Sequence, residues 1–213
     1  KGPITRYLDK LSPVSQIVGA CNTVVNDNGV LTGTITDGTG AMQSLKEEGV
    51  DYVGGKMTVV GAGGAATAII VQAALDGAKE ITVFNRRDEF FPKAEKVVAQ
   101  LNDRTDCKVT LYDLADHENL KRELDSSDIY IDGTSCGMKP LEDVVAIPDK
   151  SYLHKELIVM DTVYAPRETK LMRWAEEVGC HTFNGLGMML YQGAAAFKLW
   201  TGKDMPVDYI KDI

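Results

Sequence analysis

The 213-residue chain is poor in the residues that staple small secreted domains or hold metals. It has four cysteines, Cys21, Cys107, Cys136 and Cys180, and no two stand in a CxxC spacing. That spread excludes a disulfide scaffold and points to reduced, structural thiols in a cytoplasmic setting. Its three histidines, His117, His154 and His181, lie too far apart in the sequence to suggest a metal site. Positive charge is also in deficit. Lys and Arg number 23 against 31 Asp and Glu, a net charge of −8, with no basic stripe to attract nucleic acid. No apolar run approaches the ~20 residues of a membrane-spanning helix. There is no signal-peptide pattern and no initiating Met, so a start at Lys1 reads as a piece of a longer protein. What remains, 44% hydrophobic and 25% charged residues, is the composition of a globular protein of one large domain, or of one plus a fragment of another.

One stretch organises the rest. Met57, Thr58, Val59 and Val60 read as a short buried strand, and Gly61-Ala62-Gly63-Gly64 forces a tight turn. Residues 65–78 are almost all small or apolar and predict a helix packed on a sheet. A strand, a glycine turn and a helix, followed by a second strand at 80–85, form the unit that binds a dinucleotide. Small residues let the backbone approach the pyrophosphate, and the helix start supplies N–H donors. The pattern is GxGGAxxA rather than GxGxxG. The alternative reading is a merely tight strand-to-helix turn.

Elsewhere, residues 1–20 predict two short helical pieces broken at Pro13. Strands at 22–25 and 30–34 flank Asn26-Asp27-Asn28-Gly29, a hairpin signal. A helix is expected over 41–48, with Asp37 as a plausible N-cap. Helices over 90–102, 119–124, 169–178 and 188–199 alternate with strands at 108–112, 129–131, 157–163 and 181–183. This alternation predicts a doubly wound, parallel α/β sheet of Rossmann type. Ligands of such sheets lie beyond the carboxyl ends of the strands. Five strand ends carry glycine or polar clusters, at 61–64, 85–88, 132–137, Tyr164 and 184–187, and are expected to line one crevice.

Asn85-Arg86-Arg87-Asp88 begins 24 positions after Gly61, where a ribose-reading residue belongs. Arg86 or Arg87 suits a 2′-phosphate or stacking on adenine, and Asp88 suits a free ribose hydroxyl. The alternative is a solvated turn with Asp88 capping the next helix.

Together these motifs resemble the shikimate dehydrogenase family over essentially the whole chain. Gly19-Ala20-Cys21-Asn22-Thr23-Val24 is similar to its GAxNTV segment, Thr36-Asp37-Gly38-Thr39-Gly40 to its TDGxG, and Gly61–Ala65 (GAGGA) to its nucleotide turn. Asn85-Arg86-Arg87-Asp88-Glu89-Phe90-Phe91 and Thr201-Gly202-Lys203-Asp204 look like the quinate/shikimate branch, and Asn184-Gly185-Leu186-Gly187-Met188 through Gln192-Gly193 matches the C-terminal signature.

The resemblance implies two domains: a remnant of an α/β substrate domain at 1–36, a nucleotide-binding domain at 37–187, and helices at 188–213 that return to the substrate domain. It implies reversible oxidation of shikimate to 3-dehydroshikimate, with quinate to 3-dehydroquinate as a second reaction, using NAD or NADP. Lys1 stands as far before the Asn-Thr segment as the family's catalytic lysine does. Lys1 and Asp37 would be the acid–base pair, with Asn22, Tyr164 and Gln192 on the substrate. Ala62, Gly63, Gly64 and Ala65 would hold the pyrophosphate, and Asn85, Arg86, Arg87 and Asp88 the adenosine. Ser135, Thr162, Val163, Tyr164, Ala165 and Gly185 would complete the cofactor site.

Four positions depart from the family pattern. Ile35 and Asp132 stand where it has Asn, Ser135 where close relatives carry Lys, and Ala165 where Asn precedes proline. The expected partners are a small-molecule substrate and a homodimer mate, with no nucleic acid, membrane or metal. Because one wall of the substrate cleft would be missing, these 213 residues alone are expected to bind nucleotide with little turnover. The competing class is a non-catalytic nucleotide- or metabolite-binding module on the same fold.

Overall fold

A computed structural model describes residues 1–211 of the chain. Asp212 and Ile213, the end of the segment expected over 188–213, lie outside the described residues. The N-terminal part forms a small sheet of order β1-β3-β2. Strands β2 (Thr23–Asp27) and β3 (Val30–Thr34) make the expected antiparallel hairpin. Its turn places Asn28 at φ 51° and Gly29 at φ 94°, a left-handed pair that only an Asn-Gly-like sequence adopts at low cost. A third strand, β1 (Lys10–Leu11), runs parallel to β3. Two residues are too few for alternation to show in the sequence. A 3-10 turn over Pro3–Tyr7 and helix α1 (Pro13–Val18) supply the two helical pieces. Pro13 opens α1 beneath the Ser12 cap, whose hydroxyl accepts from Ser15 N–H.

The large sheet has six strands: β4 (Lys56–Val60), β5 (Glu80–Asn85), β6 (Lys108–Asp113), β7 (Ile129–Asp132), β8 (Ile158–Asp161) and β9 (His181–Phe183). Their order is β6-β5-β4-β7-β8-β9, and every pairing is parallel. That is the doubly wound order predicted from the alternation of elements. Successive strand residues point to opposite faces. Val59, Val83 and Ile131 pack under α3 (Gly64–Asp76) and α4 (Phe91–Arg104). Val60, Phe84 and Tyr130 pack under α5 (His117–Asp125) and α6 (Lys170–Val178). Both faces are buried, which is why these strands read as continuous apolar runs rather than alternating ones.

Most helix ends shift from expectation, and two of the shifts have a visible physical cause. Helix α2 spans Asp37–Glu47, so Asp37 is its first residue and not its cap. The cap position belongs to Thr36, without a side-chain hydrogen bond, and the Asp37 carboxylate is therefore free to face inward. Helix α3 stops at Asp76 because Gly77 takes φ 104°, a left-handed terminator. The long helix α7 (Leu186–Thr201) lies along α2, and α8 (Val207–Lys211) follows. The α2–α7 contact depends on Gly40. A Cβ there would stand 2.5 Å from Gln192 N and Met188 O.

Candidate active site and nucleotide cleft

A polar cluster gathers where the small sheet meets α2 and α7. Lys1 Nζ donates to Asp37 Oδ2 at 2.5 Å. The Asp37 side chain is 8% exposed and that of Lys1 52%. Lys1 is tied by its backbone as well, its carbonyl accepting from Cys21 N–H. Asn22 is the hub. Its Oδ1 accepts from Thr36 N–H and from the hydroxyls of Thr23 and Thr36. Those bonds fix the amide so that Nδ2 donates to Asp37 Oδ1 (3.2 Å) and to Gln192 Oε1 (3.4 Å). Four residues from four segments, up to 191 positions apart, therefore meet at one half-open spot. Tyr164, on the loop after β8, is 50% exposed.

The second feature is a cleft of about 500 Å³ at the carboxyl ends of β4, β5 and β7. Residues 61–65 form its floor, Asn85, Arg86 and Asp88 one side, and Gly133, Thr134, Ser135 and Cys136 the other. Gly61 sits at φ 105° with β7's following turn pressed against it; a Cβ would lie 3.0 Å from the Gly133 backbone. By contrast, a Cβ on Gly63 or Gly64 would meet nothing within 4 Å. Helix α3 opens there with no side chain capping its N–H groups. Open space over a bare helix start is the shape and charge that a pyrophosphate takes. Helix α3 has its own reason to lie flat on the sheet: Ala66 is in contact range of Gly133.

Asn85 organises the ribose side, donating to Arg86 O and to Asp88 Oδ1. Asp88 Oδ1 also accepts from Phe90 N–H. Desolvation works against the Asp88 charge, but the bonds from Phe90 and Asn85 and the nearby Arg86 hold its carboxyl below the usual range. Arg87 does not line the cleft. It turns the other way, onto Asp113 and the face of Phe91.

The five strand ends thus divide. Those at 61–64, 85–88 and 132–137 build the cleft, whereas Tyr164 and 184–187 do not line it. The last two adjoin each other instead. Gly185 N–H donates to Val163 O, and a Cβ on Gly185 would stand 2.1 Å from Thr162 O. Thr162 is anchored to Asp132 O through both its N–H and its hydroxyl. Ala165 follows Tyr164 on the same loop.

Sequence reasoning missed the cleft's apolar wall, formed by Phe90, Leu114, Leu141, Val144 and Ala146. Three of these belong to the irregular 133–157 segment, where apolar residues follow no helical or strand period. The segment's scattered Leu and Val were the only signal.

Beneath the cleft, Asp132 and Asp161 are paired neighbours on β7 and β8, 2% and 1% exposed. Burial raises both carboxyls, that of Asp161 to about 7, with the Asp132 charge adding to it. Asp132 accepts from Thr134 N–H, the Thr134 hydroxyl and Tyr130 OH. Asp161 accepts from Val163 N–H and the Thr169 hydroxyl. Together they brace the turns on either side of β7 and β8. Among the described residues no cluster of His, Cys, Asp or Glu could hold a metal ion, and no helix is long and apolar enough to cross a membrane.

Comparison with known proteins agrees with this architecture. Residues 185–213 match the model of the shikimate 5'-dehydrogenase C-terminal domain. A shikimate dehydrogenase (NADP+) of Listeria monocytogenes is 60% identical over all 213 residues, which cover 73% of that protein. A quinate/shikimate dehydrogenase of Escherichia coli is 51% identical over 207 residues, 97% of this chain and 72% of its own length. The crystal structure of the Listeria monocytogenes shikimate 5-dehydrogenase with shikimate and NAD superposes with a TM-score of 0.97 at 59% identity, over all of this chain and 73% of that one. With a relative this similar matched across the whole chain, the chain belongs to the shikimate dehydrogenase family.

Proposed function

We propose that the protein is an NAD(P)-dependent dehydrogenase that oxidises shikimate to 3-dehydroshikimate, and quinate to 3-dehydroquinate as a second reaction. The observation that carries the reading is the convergence of Lys1, Asn22, Asp37 and Gln192 in a chain that also holds a nucleotide-shaped cleft. A module that only bound nucleotide would need the cleft and not the cluster.

The cleft suits a dinucleotide. Residues 62–65 would cradle the pyrophosphate, Asn85, Arg86 and Asp88 the adenosine ribose, and Phe90, Leu141 and Val144 the base. Ser135, Thr162, Val163, Ala165 and Gly185 would flank the nicotinamide end. The nicotinamide supplies the hydride acceptor when bound. This chain's residues handle the rest. In oxidation the hydroxyl proton passes from the reacting oxygen to the Lys1–Asp37 pair, and in the reverse direction Lys1 Nζ returns it to the carbonyl oxygen. The amides of Asn22 and Gln192, set by the Thr23 and Thr36 bonds, hold neighbouring hydroxyls, with Tyr164 at the rim. Free cysteines and the family's place in aromatic amino-acid synthesis support action in the cytoplasm.

The test is oxidation of shikimate and quinate, with NAD and with NADP, by the full-length natural protein, read by reduced-nicotinamide absorbance. Asp37→Asn should lower kcat by ~100-fold or more, the scale of lost acid–base catalysis, while nucleotide binding stays close to wild type. Nucleotide binding with no turnover of either acid would favour the non-catalytic module instead. The homodimer is checked by light scattering, with twice the chain mass expected.

A further inference from the structure

We propose that Asp113 is a positioning residue for cofactor choice: it holds Arg87 away from the nucleotide cleft and so favours a cofactor with a free 2′-hydroxyl. The inference rests on the dinucleotide reading of the cleft. Arg87 lies between Arg86 and Asp88, which both line the cleft, yet its own side chain points elsewhere. Its Nε donates to Asp113 Oδ2 at 3.0 Å, and its guanidinium lies 4.4 Å from the centre of the Phe91 ring.

Asp113 is the fixed partner of the two. It ends β6 in register with Asn85, and its Oδ1 accepts from Ala115 N–H in the following turn. The strand therefore sets where the carboxylate stands, and the flexible arginine goes to it. Arg87 is largely exposed and its bond to Asp113 is a surface ion pair, so that bond and the Phe91 contact together hold it, and loss of the Asp113 charge frees it in part. With Asp113 neutralised, a dianionic 2′-phosphate becomes the stronger attraction for a guanidinium. The groups that then face that phosphate are Arg86, which attracts it, and the Asp88 carboxylate, which repels it. Asp113 thus cancels one of the two arginines that would offset Asp88.

The experiment is fluorescence titration of NAD and NADP, with KM and kcat for both, on the full-length natural protein and its variants. Asp113→Asn should tighten NADP relative to NAD by roughly three- to fivefold, the scale of one exposed ion pair. NAD affinity and kcat should stay close to wild type. Asp113→Glu should retain the wild-type ratio. Arg87→Gln alone should leave both cofactors nearly unchanged, and Arg87→Gln with Asp113→Asn should return the ratio to wild type. Equal changes for both cofactors, a shift that persists in the double variant, or weaker NADP binding by Arg87→Gln alone would each overturn the proposal. A wild-type protein that binds neither nucleotide would overturn the dinucleotide reading, and this inference with it. Thermal melts of each variant separate a lost fold from a changed ratio, and a destabilised Asp113→Asn is replaced by Asp113→Ser with the same expectation.

Discussion

Gly63 stands where a side chain would enter open space, with nothing within 4 Å of its Cβ position. The fold therefore does not need a glycine there; the expected ligand does. Gly63→Val should leave the melting temperature within a few degrees of wild type and abolish nucleotide binding. Titration of NAD into the variant checks this, and unchanged affinity would remove the turn from the site. Asp37 shows a similar separation at the same scale. Its expected role as helix cap is taken over by the Thr36 position, and its carboxylate instead receives Lys1 and Asn22.

At the scale of elements, the α2–α7 contact decides whether the polar cluster exists. Asp37 opens α2, and Gln192 lies within α7. Their approach is set by Gly40, whose missing Cβ admits the α7 backbone. Gly40→Val should push α7 outward, since the clashing atoms are backbone and cannot rotate away. Overpacking of this kind costs about 1–3 kcal/mol, a fall of roughly 2–12 °C in melting temperature for a domain of this size. The KM for shikimate should rise more than the KM for cofactor, because Gln192 moves and the glycine turn does not. Equal rises in both would place the damage elsewhere. In the TDGTG run, then, the acid faces the polar cluster and this glycine serves helix packing.

Across the whole molecule, the buried pair Asp132 and Asp161 gives stability a pH dependence. Asp161 is raised to about 7 by burial and by Asp132, against an unfolded value of 3.8. A carboxyl raised in this way binds its proton more tightly when folded. Its contribution is complete below the unfolded value and is lost as pH rises through about 7. The loss is on the order of 4 kcal/mol at most. Asp161→Asn removes the titrating group, so the variant should gain on wild type in melts at pH 8 compared with pH 5. Wild-type and variant melting curves that stay parallel across that range would show that the pair carries no such linkage. Asp132→Asn, the family's usual residue, should act in the same direction, because an amide can accept from Thr134 and donate to Tyr130 without a charge.

The local chemistry of the chain alone determined most of its elements, the two-residue β1 being an exception. Apolar runs of strand length, Asn-Gly at the hairpin and glycines at helix ends each bias the backbone over a few residues, and that bias does not depend on distant contacts. The doubly wound order follows, because alternating strands and helices have few ways to bury both sheet faces. The glycine turn was legible for the same reason. Tertiary structure alone decided which side chains meet. Asn22, Asp37 and Gln192 stand in motifs that the family resemblance marks, but they become a cluster only when α7 returns to α2 across Gly40. Arg87 reads like its neighbour Arg86 in sequence, yet a carboxylate 26 positions away turns it from the cleft. The cleft's apolar wall, from the aperiodic 133–157 segment, was likewise hidden. Contacts between residues far apart in the chain depend on the packing distance between elements, which is set by the shapes of both partners and is written in neither segment alone.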